Sequence, residues 1–67
     1  NIRVFPNPAS EWIKIIIYSP VRDFKMYNIN GQSINKTLLD NFMDVSDLPA
    51  GVYFITVNGR HTKFLKR

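Results

Sequence analysis

Apolar and polar residues alternate along this chain in short runs, and turn-forming residues interrupt the runs at close intervals. The interruptions are Pro6-Asn7-Pro8, Ser19-Pro20, Asn30-Gly31, Pro49-Ala50-Gly51 and Asn58-Gly59. Such spacing suits short strands and leaves no stretch for an ordinary helix. The residues between are β-branched or aromatic, types that fit a pleated, half-buried surface. In Trp12–Tyr18 the odd positions Ile13, Ile15 and Ile17 share one face, while the even positions include Lys14. Period two therefore assigns the odd face to the core and leaves Trp12 and Ile16 partly outside. In Val52–Val57 the residues Tyr53, Ile55 and Val57 turn inward, and Val52, Phe54 and Thr56 form the more exposed face. Further strands are expected at Ile2–Phe5, Phe24–Ile29, Gln32–Leu39, Phe42–Val45 and Thr62–Lys66. Leu48, in the turn 46–51, is expected to plug one end of the core.

Asn30-Gly31 and Asn58-Gly59 each predict a two-residue type I′ hairpin, which needs positive φ at both central positions. Gly51 is expected to supply positive φ, or to permit close approach, ahead of Tyr53. With these fold-defining turns (Asn30, Gly31, Gly51, Asn58, Gly59), the pattern implies an all-β fold. It is a small antiparallel Ig-like β-sandwich of about seven short strands. At 67 residues there is room for one small domain, and with no cysteine no disulfide can staple it. A domain of this size buries only about 60% of its unfolded surface, so stability is expected to be marginal. Asn1 is not an initiator and no signal peptide opens the chain. Residues 1–67 are thus expected to be a single domain cut from the C-terminal end of a longer secreted protein.

Candidate chemistry is thin. His61 is the sole histidine and has no second ligand at metal spacing, so no metal site is expected. Asp44 and Asp47 lie close in sequence, but a calcium site takes roughly six to eight oxygens, and turn capping explains them better. The other carboxylates, Glu11, Asp23 and Asp40, are dispersed. No serine has a placed base and acid, and the three glycines stand alone, so neither a hydrolytic triad nor a phosphate cradle is present. No enzyme activity and no cofactor are expected. The net charge of +4 comes from nine basic and five acidic residues, with Lys63, Lys66 and Arg67 gathered at the end. That is a modest footprint for nucleic acid. Trp12, Tyr27 and Phe64 sit at alternating strand positions that suit a core better than a stacking platform, so no nucleic-acid partner is expected.

Four segments, in order, resemble the type A C-terminal sorting domain of the type IX (Por) secretion system of Bacteroidetes-type bacteria. Val4-Phe5-Pro6-Asn7-Pro8-Ala9-Ser10 is similar to the opening of that family. Met26-Tyr27-Asn28-Ile29-Asn30-Gly31-Gln32-Ser33-Ile34 is similar to its central hairpin. Asp44-Val45-Ser46-Asp47-Leu48-Pro49-Ala50-Gly51-Val52-Tyr53-Phe54-Ile55 is similar to its Gly-x-Tyr segment, and Thr62-Lys63-Phe64-Leu65-Lys66 to its closing strand. Asn30 departs from the family, which often has an apolar residue there.

The resemblance implies a non-catalytic export tag. Its parent would travel through the periplasm to the cell surface or medium. The tag would be read by the outer-membrane translocon and shuttle proteins of the type IX system and removed by a sortase-type cysteine peptidase. Residues expected to contact partners are Pro6, Asn7 and Pro8 in an exposed turn, and Lys63, Phe64, Leu65 and Lys66 in the last strand. That strand is a candidate edge for β-augmentation. The alternative is an accessory carbohydrate-binding or adhesion sandwich of a secreted enzyme, with Trp12, Tyr18 and Tyr27 as a sugar-stacking face. Exposed apolar residues such as Trp12, Ile16 and Phe54 also allow weak homo-oligomers.

Overall fold

The computed structural model describes residues 2–67, and strands are their only regular structure. The six strands are β1 (Ile2–Phe5), β2 (Trp12–Ile17), β3 (Phe24–Asn28), β4 (Phe42–Asp44), β5 (Gly51–Val57) and β6 (Arg60–Lys66). They form two antiparallel three-stranded sheets, ordered β1-β2-β4 and β3-β5-β6. The all-β sandwich expected from the alternation is thus present, with six strands in place of seven.

Register follows burial. In the first sheet Val4 lies opposite Ile15, and Ile13 opposite Met43. In the second, Met26 lies opposite Ile55, and Tyr53 opposite Phe64. These residues form the inner faces, and Ile13, Ile15, Met26, Met43, Ile55 and Phe64 are at most 2% exposed. A one-residue slip in any strand would turn this set outward, which is why the pairing is unique. Trp12 and Ile16 are on the outer face, as period two requires. Leu48 is half-buried against the core, as expected of a plug.

The missing strand is Gln32–Leu39. Its backbone pairs with its neighbours only through single bridges at Ser33 and Leu39. Its period-two pattern is real, since Ile34, Lys36 and Leu38 are half-buried while Ser33, Asn35 and Thr37 are exposed. However, the segment must pass from the second sheet back to the first, so its backbone cannot stay paired with either. The alternation serves a connector laid against the core.

The turns also differ from expectation. Asn58 (φ 52°) and Gly59 (φ 80°) form the predicted type I′ hairpin between β5 and β6. At Asn30-Gly31 only Gly31 has positive φ, at 78°. The Gly31 amide donates to the Asn28 carbonyl and the Asn28 amide to the Gln32 carbonyl, both at 3.0 Å. This is a three-residue loop, Ile29-Asn30-Gly31, ending in a left-handed glycine, and not a two-residue turn. A further tight hairpin lies at Asp40-Asn41, with φ of 53° and 65°, where Leu39 and Phe42 exchange both backbone hydrogen bonds at 2.9 Å.

Candidate recognition surface

The two ends of the chain meet. After β1, the Pro6–Ala9 segment leaves the first sheet and lies parallel to the end of β6, bridging at Ala9 and Lys66. The Leu65 amide donates to Asn7 Oδ1 at 3.0 Å, and the Ala9 amide to the Leu65 carbonyl at 2.8 Å. The Arg67 amide donates to the Ala9 carbonyl at 2.8 Å. Proline cannot donate, so the Asn7 side chain and the Ala9 backbone make these bonds between and beyond the prolines. Ala9 is fully buried, and its small side chain lets the strap come close.

This clasp corrects two expectations about the last strand. Its edge is not free throughout, because Asn7 and Ala9 cover Leu65 to Arg67. Phe64 and Lys66, expected to contact partners, turn inward at 1% and 6% exposure. The reason is alternation: Tyr53 faces Phe64 and Gly51 faces Lys66 across β5 and β6. The Tyr53 and Phe64 rings stack with centroids 5.5 Å apart. Lys63 and Leu65 point outward, and Asn7 and Pro8 are exposed beside them.

Residues 44–53 are tied to that inner face. Asp44 accepts hydrogen bonds from the Ser46 hydroxyl at 2.6 Å and the Ser46 amide at 2.9 Å. These bonds, the hydroxyl first, hold its carboxyl below the usual range. Lys36 forms an ion pair with Asp47 and lowers its carboxyl as well. The Leu48 carbonyl accepts from Lys66 Nζ at 3.0 Å, which gives the withdrawn ammonium a partner. The Pro49 carbonyl accepts from the Tyr53 hydroxyl at 2.6 Å. Gly51 enters β5 at φ 149°, a backbone that side chains rarely adopt. The spacing Asp-x-Ser-x-Leu-x-x-Gly-x-Tyr is thus a turn that closes one end of the sandwich.

Asn58 does more than turn the chain. Its Oδ1 accepts from the Arg22 and Asp23 amides, and its Nδ2 donates to the Pro20 carbonyl at 2.9 Å. One side chain therefore fixes the crossing from β2 to β3. Asn28 acts similarly, accepting at Oδ1 from the amides of Asn30 and Gln32. Neither role is visible in sequence beyond the preference of asparagine for turns.

The outer faces differ. On the first sheet Phe5, Trp12 and Phe42 form a half-exposed aromatic cluster, with ring centroids 6.1 Å and 5.4 Å apart along that order. Lys14 Nζ lies 5.1 Å from the Phe42 ring centre. On the second sheet the outward rows are Lys25-Thr56-His61 and Tyr27-Phe54-Lys63. His61 Nδ1 lies 3.1 Å from the Thr56 hydroxyl. Trp12, Tyr18 and Tyr27, expected as one stacking face, are not together: Tyr18 is 97% exposed beyond the end of β2, and Tyr27 is on the other sheet.

A family model described as the secretion system C-terminal sorting domain matches residues 3–67. The chain belongs to this family. The sorting domain is therefore a type IX secretion signal, and the four segments that resemble the family fold into the strap, the Asn28 hairpin, the 44–53 turn and β6. No curated protein and no solved structure matches it.

Proposed function

We propose that this sorting domain acts as a folded, non-catalytic tag. It is read by the outer-membrane translocon and shuttle proteins of the type IX system, after transit of its parent through the periplasm. A sortase-type cysteine peptidase then cuts upstream of the strap and frees the cargo at the cell surface. The family match over residues 3–67 carries this reading. The clasp supports it, because joining the strap to β6 ties correct folding to the presence of both ends.

The test is to fuse residues 1–67 to a periplasmic reporter in a strain with a working type IX system. Reporter should appear outside the cell, and mass spectrometry should find it without the tag. Reporter retained in the periplasm, or secreted with the tag still attached, would defeat the proposal. The second outcome favours an accessory binding module, for which the Phe5-Trp12-Phe42 cluster is the available aromatic surface. Deleting Lys63–Arg67 should also block export, because it removes the buried Phe64 and Lys66 from the interior and should unfold the tag.

A further inference from the structure

The clasp leaves the first half of β6 without a neighbour on its outer side. Leu65 and Arg67 point their backbone groups outward to Asn7 and Ala9. By alternation His61 and Lys63 point theirs the same way. Among the described residues no backbone group pairs with them on that side. β1 lies nearby but hydrogen bonds to β2. An open groove lined by Phe54, His61, Thr62 and Lys63 runs along this stretch, with a volume of about 390 Å³.

The charge here has one sign. β3, β5 and β6 contain no aspartate or glutamate, and Lys63 projects from the outer face beside Phe54, with exposed Arg60 at the start of the same strand. An apolar ring beside cationic side chains complements a segment that alternates apolar residues with carboxylates. An exposed edge offers that segment backbone hydrogen bonds, and alternate side-chain sites give selectivity. Resting on the tag reading, we propose that Arg60–Lys63 of β6, with Phe54 beside it, docks an extended acidic–apolar strand of a receiving protein. The Lys63 side chain guards the edge against pairing with other copies and pairs with a carboxylate of the incoming strand.

The test uses the whole chain. An isotope-labelled sample is titrated with a short synthetic peptide alternating valine and glutamate, followed by nuclear magnetic resonance. Amide shifts should concentrate at Arg60–Lys63 and Phe54, be absent with a lysine-for-glutamate peptide, and vanish in Lys63→Glu. Equal shifts with the lysine peptide, shifts centred elsewhere, or the same amides responding only to protein concentration or to anionic phospholipid vesicles would overturn the site. In the reporter strain, Lys63→Glu and Phe54→Ser should lower secretion roughly tenfold, with Lys63→Arg close to wild type. Undiminished export by both variants overturns the docking site alone. Failure of the wild-type tag to carry the reporter overturns the tag reading itself.

Discussion

The two sheets use their outer apolar residues in opposite ways. On the first, Phe5, Trp12 and Phe42 pack on one another, and Lys14 sits over Phe42. β4 is only three residues long, and this outer cluster adds contact area that so short a strand cannot bury inside. On the second, β5 and β6 are seven residues each and the inner face has a full core. Its outer face holds Tyr27 and Phe54 in a row with Lys63, next to an unpaired stretch of edge. On the proposed docking of β6, exposed aromatic area alone does not mark the recognition site. Unopposed charge beside free backbone groups distinguishes the second sheet.

The largest expected effect tests whether the second sheet carries the core. Phe64→Ala removes a fully buried ring stacked on Tyr53 and should cost about 3–5 kcal/mol, enough to unfold a domain this small. Circular dichroism should then show no cooperative melt. Asn58→Ala should cost about 2 kcal/mol in urea unfolding, since it loses three hydrogen bonds and a left-handed turn residue. Asn30→Ala should stay within about 0.5 kcal/mol, because Asn30 has ordinary φ and its own side chain is exposed.

The outer faces separate next. Trp12→Ser should lower stability by about 1 kcal/mol while export continues. Lys63→Glu should leave stability within about 0.5 kcal/mol while export falls. Loss of export in Trp12→Ser at unchanged folding would reverse the comparison. The smallest effect is acid sensitivity at the 44–53 turn. The Asp44 carboxyl is lowered from 3.8 in the folded chain, so its contribution is complete above that value and disappears as pH falls through the lower folded value. Ser46→Ala should flatten that part of the stability–pH curve, measured by thermal melts between neutral and strongly acidic pH.

Much of this molecule was legible in its residue order. The β2 and β5 faces, the Asn58-Gly59 hairpin, the Leu48 plug and the four family segments all depend on neighbours within a few positions. Period-two alternation and turn stereochemistry act at that range. The Gln32–Leu39 segment shows the limit, because its alternation is identical to that of a strand although its backbone bonds only at isolated points. The same limit hid the Asp40-Asn41 hairpin, which lacks the glycine that usually signals one.

Alternation and local turn preference sufficed to determine an all-β sandwich and the inner faces of β2 and β5, and four ordered segments carried the family resemblance. Tertiary structure alone decided that Asn7 reaches Leu65 across 58 positions and that Asn58 holds the Pro20–Asp23 crossing. It also decided that Lys66 is interior while Lys63 stands beside a free edge. Such contacts depend on where two sheets place distant segments, and no local pattern encodes that placement. The balance of clasped and open edge on β6 therefore belongs to the fold and not to the strand.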